Sequence, residues 1–274
     1  MAVTSERGRL SWWTTWREMW REQVAGRDVL RELARRDLLL RYQHAWLGVG
    51  WALSGPLVNL AVFTAVVGPV AGLEAGAPYP LWAAAGLLPW TLLASSIRFA
   101  ATSLSSNPAL VGKIWFPREA LPLATVLVAL VDFLVGNVLL VALLGYYGVA
   151  PSLTWIYLPA VLAVELAFVA GSALLIALAT LFWRDVRFAL EIVLTAWMFA
   201  TPVVIPTDRL TGPVATVLEF NPMAAILDAW RATLLRGEAP DTVTFPLVTL
   251  FAVGWLLAAW WIFHRAEPGF AERL

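Results

Sequence analysis

Cysteine is absent from this chain of 274 residues, and lysine occurs only once, as Lys113. Without cysteine, the protein has no disulfide bond, no thiol chemistry and no cysteine-ligated metal. Charged residues are also scarce: they make up 14% of the sequence, against about 25% in an ordinary soluble domain. Apolar residues make up 60%. A soluble fold cannot bury so much apolar surface, so the composition indicates a membrane protein.

The chain also lacks the phosphate-binding loop G-x-x-x-x-G-K-[ST], because its one lysine follows Gly112 and precedes Ile114. We therefore expect no ATP and no other cofactor on this chain. The two histidines, His44 and His264, lie near opposite ends of the sequence, which argues against a histidine metal site or histidine-based catalysis. We predict no catalytic or metal-binding residue, and we interpret both histidines as solvated residues at the membrane interface.

The segment 1–46 is rich in charge and lacks the short basic start, apolar run and cleavage site of a secretory signal. Within it, Trp12, Trp16 and Trp20 fall on one side of a helical wheel, with charged residues on the other side. This pattern is typical of a helix that lies in a membrane interface. A soluble amphipathic helix that packs on a partner protein has the same pattern.

Apolar blocks follow this segment, and each is long enough to cross a bilayer as a helix, for which roughly 20 residues suffice. None of them alternates polar and apolar residues as the strands of a membrane barrel do. We predict an all-α integral membrane protein, with one domain of about six transmembrane helices over 47–263 and a tail at 264–274. The predicted spans are Leu47 to Ala71, Leu81 to Thr102, Leu121 to Tyr147, Leu153 to Phe182, Phe188 to Ile205 and Val243 to Phe263.

The distribution of arginine and lysine predicts the orientation. Basic residues lie in the N-terminal segment, in the tail, and in the connections after the second and fourth spans, whereas the connections after the first and third spans have none. Both termini are therefore predicted to be cytoplasmic. The outer connection 206–242 carries three arginines, but long loops cross a membrane largely regardless of charge. Within it, 222–235 is predicted to form a short re-entrant or interfacial helix, preceded by Asn221.

Six short motifs stand in order along the chain. They are Arg36-Asp37-Leu-Leu-Leu-Arg41-Tyr42 followed by Leu47-Gly48, Trp51 and Pro56-Leu57; Gly86-Leu-Leu-Pro89-Trp90; Asn107 with Lys113-Ile-Trp-Phe116-Pro117-Arg118-Glu119-Ala-Leu-Pro122; Phe182-Trp-Arg184-Asp185-Val-Arg187; Thr201-Pro202-Val; and Asn221-Pro222-Met with Arg231. Together they cover the chain from about Arg36 to Gly237. In their order and in their predicted sides of the membrane, they resemble the permease subunits of type-2 ABC exporters that move O-antigen, capsular polysaccharide and teichoic acid.

This resemblance implies a bacterial protein of the cytoplasmic membrane, in which two copies of the six-helix subunit enclose a channel. Two copies of a separate ABC ATPase, which binds ATP and Mg, would drive it. The implied cargo is a lipid-linked glycan carried on polyprenyl diphosphate, with membrane lipid as a further partner and no nucleic acid. In such exporters the N-terminal helix and the first cytoplasmic loop touch the ATPases. The corresponding residues here are Trp12, Trp16, Trp20, Asn107, Lys113, Phe116, Pro117, Arg118 and Glu119.

Two further sets of residues follow from the same resemblance. Aromatic side chains line the channel of such polysaccharide exporters, although packing against lipid or neighbouring helices is the alternative for each of them. The aromatic residues within the predicted spans that we consider for this role are Trp51, Phe63, Trp90, Trp197 and Phe199. Short helices of the outer loop line the channel exit, and there the arginines contact either phosphate or, by snorkelling, lipid headgroups. The corresponding residues are Asn221, Pro222, Arg231 and Arg236.

Asp132 and Glu165 fall near mid-depth in the third and fourth predicted spans, where ionisable groups are costly and become functional candidates. If the two acids face each other, they suit a proton-coupled secondary carrier; otherwise they are structural acids that accept or donate hydrogen bonds. A type-2 ABC permease for drugs or lipids is another alternative. A membrane enzyme of polyprenyl-phosphate metabolism would need a clustered site of acids, histidine or arginine, and the sequence assembles none.

Overall fold

The structure, a computed structural model, describes residues 12–43, 46, 48–71, 77–108, 110, 116–203 and 220–272. Regular structure in this part of the chain is helical and includes no strand, which confirms the predicted all-α class. Four helical segments are long and apolar enough to cross a membrane, judged by length and composition. They are Tyr79–Ser103, Ala120–Tyr146, Leu153–Phe182 and Thr244–Ala266.

The α-helices are numbered here in chain order. They are α1 (Trp12–Ala25), α2 (Arg27–Tyr42), α3 (Ser54–Val66), the single turn α4 (Gly68–Ala71), α5 (Tyr79–Ser103), α6 (Ala120–Tyr146), α7 (Leu158–Phe182), α8 (Val186–Phe199), α9 (Pro222–Arg231) and α10 (Thr244–Ala266). Short 3-10 helices at Gly48–Leu53 and Leu153–Tyr157 lead into α3 and α7, and another at Glu267–Glu272 follows α10. A π-helical turn, Ala232–Arg236, extends α9.

The first and fifth predicted spans are helical but short. α3 has 13 residues and α8 has 14, whereas about 20 are needed to cross the hydrocarbon core. The first predicted span is divided between Gly48–Leu53, α3 and α4. α8 ends just before Thr201, because a residue that precedes a proline, here Pro202, is disfavoured in helical conformation. Length and composition therefore support four spans, and a count of six stays a prediction.

α5 lies at the centre of the bundle, and most of its side chains are buried. It packs extensively on both α6 and α7, while α10 packs along α7. Gly171 allows this last contact, because a Cβ atom there would lie 2.7 Å from Cδ1 of Trp255 and 3.0 Å from Cα of Leu256. Contacts this short overlap, since carbon atoms prefer separations of about 3.5–4.0 Å.

The helices α3 and α8 lie at the periphery and turn apolar side chains outward. On α8, Phe188, Ile192 and Phe199 are mostly exposed, as are Val58 and Val62 on α3. Both helices have few contacts with the rest of the bundle apart from those that α3 makes with α5. Their outer faces are apolar surface that a single copy of the chain leaves uncovered.

Candidate functional site

Three segments that are distant in sequence meet at one end of the bundle. They are the turn between α1 and α2, the residues that lead into α6, and the end of α10 with the 3-10 helix that follows it. We call this site the Glu119 cluster. Its members are Gly26, Pro117, Arg118, Glu119, His264, Glu267 and Phe270.

Gly26 brings the turn between α1 and α2 against the loop that precedes α6. A Cβ atom on Gly26 would lie 2.8 Å from Cγ and 3.0 Å from Cδ of Pro117. The turn is itself helical, since the Gly26 amide donates to the carbonyl of Glu22 at 2.8 Å. A side chain at position 26 would therefore separate the turn from Pro117.

Glu119 stands at the N-terminal end of α6 and is only 2% exposed. A buried carboxylate needs a hydrogen-bonding partner, and His264 near the end of α10 provides one: its Nδ1 lies 3.2 Å from Glu119 Oε1. The same nitrogen lies 3.7 Å from Glu267 Oε2. Burial and the neighbouring Glu119 carboxylate raise the pKa of Glu267 above its ordinary value. The imidazole thus stands between two carboxylates and links α6 to α10.

Arg118 holds the 3-10 helix after α10 onto this loop. Its Nη1 donates to the backbone carbonyl of Glu267 at 3.0 Å and lies 3.5 Å from Oε1 of the same residue. Its guanidinium carbon lies 5.8 Å from the centre of the Phe270 ring. Phe270 is fully buried and packs edge-to-face on Phe263, with 5.3 Å between the ring centres. Loop, helix end and tail therefore form one packed unit.

The predicted ATPase-contact residues do not all lie in this unit. Pro117, Arg118 and Glu119 belong to it, Phe116 beside them is buried, and Trp20 lies 6.4 Å, between ring centres, from Trp260 of α10. Lys113 and the side chains of Trp12 and Trp16 lie outside the described residues.

Asn107 lies apart from the Glu119 cluster, at the end of α5. Its side-chain amide donates to the Ser103 carbonyl at 2.9 Å, and its Oδ1 accepts from Arg36 at 3.2 Å. This residue therefore contacts α2.

Four members of the cluster were not predicted from the sequence: Gly26, His264, Glu267 and Phe270. The interpretation of His264 as a solvated residue is wrong, because its ring is hydrogen-bonded to buried Glu119. The one signal in the sequence was a histidine followed three residues later by an acid near the end of an apolar helix. That pattern does not indicate that the histidine contacts Glu119.

A second polar contact joins α2 to the middle of α6. Asp132 accepts hydrogen bonds from both Arg41 and Tyr42, and it forms an ion pair with Arg41. The guanidinium of Arg41 also lies 4.0 Å from the centre of the Phe99 ring. Burial and the neighbouring Asp132 carboxylate raise the pKa of Tyr42 to about 12. The phenol therefore stays protonated and acts as a donor.

Glu165 of α7 is fully buried and bonds to a different partner. Its Oε2 accepts from Nε1 of Trp230 at 2.8 Å, and the Trp230 ring packs edge-to-face on Phe133 at 5.8 Å between centres. Of the two alternatives for these acids, the structure supports hydrogen-bonded structural acids, because Asp132 and Glu165 bond to different segments. One acid anchors α2 to α6, and the other anchors α9 to α7.

Arg231, at the end of α9, is buried at 5% exposure. Its Nη1 donates to the carbonyl of Pro202 at 2.6 Å and its Nη2 to that of Val203 at 2.9 Å. The guanidinium lies 3.5 Å from the centre of the Trp82 ring, and a Cβ atom on Gly86 would overlap it. Arg231 thus anchors the end of α9, a role that the sequence did not predict, and its contact with phosphate or headgroups stays a prediction.

Asn221 fixes the start of α9. Its Oδ1 accepts from the amide of Met223 at 3.1 Å, as an N-cap residue does, and from Nε1 of Trp197 at 3.2 Å. Its Nδ2 donates to Oγ1 of Thr201 at 2.8 Å. Pro222 occupies the first position of the helix, where the lack of an amide hydrogen costs nothing. Both ends of α9 are thus tied to the end of α8.

The predicted channel-lining residues separate into buried and exposed groups. Trp90 is buried, and its ring packs edge-to-face on Trp197 with 5.7 Å between centres. Phe63 is partly buried against the core. Trp51 and Phe199 are more than half exposed. Of the five, Trp51 and Phe199 present the most aromatic surface outside the subunit, and the channel role stays a prediction for the whole set.

Comparison with known sequences gives a matching family and relatives of similar length. Residues 28–235 match the family described as ABC-2 type transporter. The chain is 29% identical over 259 residues to the O-antigen export system permease protein RfbA of Myxococcus xanthus, covering 93% of this chain and 98% of that protein. It is 26% identical over 252 residues to a protein of the same name from Klebsiella pneumoniae, covering 90% and 95%.

The contacts of Arg231 predict a large loss of stability on its replacement. Arg231→Gln deprives two buried carbonyls of charge-assisted donors, so we expect the free energy of unfolding to fall by about 2–4 kcal/mol. The control is Arg236→Gln, one turn later, where the exposed arginine pairs with Asp228 at 2.9 Å and Glu238 at 3.1 Å; there we expect a loss below about 1 kcal/mol. Denaturant unfolding of both variants in mild detergent measures the difference, and similar losses would contradict the anchoring role.

Proposed function

Because the chain belongs to the ABC-2 type transporter family, we propose that it is the membrane-spanning subunit of an ATP-driven exporter of lipid-linked polysaccharide. The observation that carries this proposal is the extent of the similarity. It runs over 93% of this chain and 98% of a relative named as an O-antigen export permease. The cargo-contacting and ATPase-contacting parts of such a permease therefore both fall within the similar region. Polyprenyl diphosphate is the carrier that we propose for the glycan.

The energy would come from two copies of a separate ABC ATPase, each with ATP and Mg. The sequence supports this division, because it contains no phosphate-binding loop of its own. We place the ATPase contact at the Glu119 cluster. The turn at Gly26, the loop at Pro117 and the tail at Glu267 pack there as one surface.

The cluster also suggests how a movement of the ATPase would be transmitted to the membrane domain. Glu119 stands at the beginning of α6, and its hydrogen bond to His264 reaches the end of α10. α6 packs along α5, and α10 packs along α7. A displacement of the loop would therefore move two long helices together, and through them the centre of the bundle.

We infer further that two copies of the subunit enclose the channel. The uncovered apolar faces of α3 and α8 support this, because a second copy would bury them. With their flanking turns, these two helices would form the first and fifth of six spans, with both termini in the cytoplasm of a bacterial cell. Trp51 and Phe199, exposed on these peripheral segments, would then offer aromatic faces to passing sugar rings.

Other functions have less support. A type-2 ABC permease for drugs or lipids would share the family and the ATPase contact, but the named relatives favour a polysaccharide. A proton-coupled carrier would need its acids in one relay. Asp132 and Glu165 instead bond to α2 and α9 respectively, so these two acids form no direct relay within the described residues.

The composition of the purified complex tests the proposed function. The tagged chain, extracted from its own host in mild detergent, should carry an equimolar subunit with a phosphate-binding loop. Native mass spectrometry should give a complex of two chains and two such subunits. A chain that moves its cargo in vesicles with no ATPase present would overturn the exporter and restore the proton-coupled carrier.

The absence of cysteine makes the proposed orientation easy to test. Single cysteines at exposed Ala150 and Ala239 should react with a membrane-impermeant maleimide on intact cells, whereas one at exposed Ser105 should react only after the membrane is opened. The parent chain gives no background, since it has no thiol. Labelling of the Ser105→Cys variant from outside, with Ala150→Cys protected, would show the opposite orientation.

The role of the Glu119 cluster in coupling predicts an uncoupled variant. Glu119→Gln removes the charge that His264 contacts but keeps the volume, so we expect export to fall roughly tenfold while the ATPase stays bound. Glu32→Gln is the control, because Glu32 is an exposed residue of α2 that pairs only with Arg35 at 3.5 Å among the described residues. Export in cells, measured beside the ATPase content of the purified complex, separates coupling from assembly. Unchanged export by the Glu119→Gln variant would contradict a role of the cluster in coupling the ATPase to the membrane domain.

A further inference from the structure

A cavity of about 430 Å³ lies between α2, α5 and α6, a volume within the range of about 300–1,000 Å³ that is usual for ligand pockets. It is separate from the Glu119 cluster and from the outer contacts of α9. α2 contributes Arg36 and Arg41 to its lining, while Ser103 comes from the end of α5 and Thr125 from the beginning of α6. Phe99 closes one side.

The charged hydrogen-bond donors that line the cavity are guanidinium groups. Arg36 uses Nε and Nη2 on Asp37, and Nη2 also reaches Asn107. Arg41 uses Nη1 on Asp132. Within the described part of the chain, Nη1 of Arg36 and Nη2 of Arg41 meet no acceptor. The two acids thus orient the arginines and leave donor edges free for a ligand.

The hydroxyl groups of Ser103 and Thr125 present hydrogen-bond acceptors to the cavity. Ser103 donates its hydroxyl hydrogen to the carbonyl of Ala100 at 2.8 Å, and Thr125 donates to that of Pro122 at 2.7 Å. Their hydrogens are used within their own helices, so these oxygens offer lone pairs to the cavity. A complementary ligand therefore combines an anionic acceptor for arginine with hydroxyl donors.

The cavity begins at the depth we expect for lipid headgroups and extends inward along α6 to Val128 and Arg41. Ser103 is the last residue of α5, and Thr125 is five residues into α6, which places it about 8 Å along that helix. The polar layer on each side of a bilayer is itself about 5–8 Å thick. Leu39 and Leu40, exposed on α2, flank the arginines with apolar surface suited to lipid chains.

The charge of the site limits the charge of its ligand. The two guanidinium groups are balanced by the carboxylates of Asp37 and Asp132, so the empty cavity is neutral. One added negative charge costs less here than the two or more of a diphosphate, because like charges at short range repel strongly in a partly buried site. A phosphodiester is therefore favoured over the diphosphate of the proposed cargo.

We propose that this cavity binds the headgroup of an anionic glycerophospholipid with free hydroxyls, of the phosphatidylglycerol type. The phosphate meets Arg36 and Arg41, and the glycerol hydroxyls donate to Ser103 and Thr125. Basic pockets between membrane helices bind anionic headgroups in this way. The bound lipid holds α2 against both α5 and α6. The proposal takes from the proposed function only the side of the membrane, which makes this a lipid of the cytoplasmic leaflet.

Native mass spectrometry of the delipidated full-length protein tests the site, with phosphatidylglycerol and zwitterionic phosphatidylcholine as probes. Phosphatidylglycerol should bind at least about tenfold more tightly, and Arg36→Gln should remove most of that difference. Arg98→Gln is the matched control. Arg98 lies near the same end of α5, its side chain is 43% exposed against 39% for Arg36, and it pairs with Glu191 at 2.9 Å outside the cavity.

A second variant tests the same site if the Arg36→Gln variant does not fold. Thr125→Val keeps the shape of the side chain and removes one acceptor, so phosphatidylglycerol affinity should fall about threefold. Equal binding of the two lipids, or an equal effect of Arg98→Gln, would overturn the proposal. So would displacement of phosphatidylglycerol by an equal or lower concentration of farnesyl diphosphate, which would assign the cavity to the cargo. No ATPase or glycan enters this measurement, so its failure and that of the exporter are distinguishable.

Discussion

A charge within the hydrocarbon of a membrane has no water to bind, so it needs a partner from the protein itself. This constraint accounts for where the few ionisable side chains of the bundle lie. Asp132 bonds to Arg41 and Tyr42, Glu165 to Trp230, and Arg231 to two backbone carbonyls. In each case the partner comes from another segment. The same contacts that satisfy the polar groups therefore join one part of the fold to another.

These contacts divide between the two ends of the bundle. Glu119 ties the beginning of α6 to α10, and Asp132 ties the middle of α6 to α2; towards the other end, Glu165 and Arg231 tie α9 to α7 and to the end of α8. Between them lies α5, whose packing on α6 and α7 is mostly apolar and close. Hydrogen-bonded charges restrict the register of two helices more strictly than apolar packing does, because a hydrogen bond needs a donor and an acceptor within about 3 Å. The polar contacts therefore set the relative positions of helices that the apolar core then holds together.

The sequence was sufficient to predict the helical class, the long apolar helices and the start of α9 after Asn221, because these depend on local pattern. It was insufficient to predict which side chains contact each other. Asp132 and Glu165 were placed at similar depth by counting residues, but depth does not say which way a side chain points around its helix. His264 had no local signal that distinguished a hydrogen-bonded residue from a solvated one. The helices α3 and α8 are shorter than the predicted spans. A hydropathy average does not detect the breaks in helical structure that follow them, at Val67 and before Pro202.

The arginines show why composition alone misassigns charged residues in membrane proteins. The sequence makes Arg231 a candidate for contact with phosphate, yet its planar group donates to two carbonyls and lies over the Trp82 ring at once, a geometry that the compact ammonium of a lysine matches less well. Its burial carries a desolvation cost that an apolar side chain would avoid, and in return it fixes the end of α9 against α8. Arg36 and Arg41 resemble ordinary positive-inside residues, but each is oriented by an acid and keeps a donor edge free. What separates an anchor from a binding group here is therefore whether a ligand can reach its unused donors: Arg231 is buried, whereas Arg36 and Arg41 line a cavity.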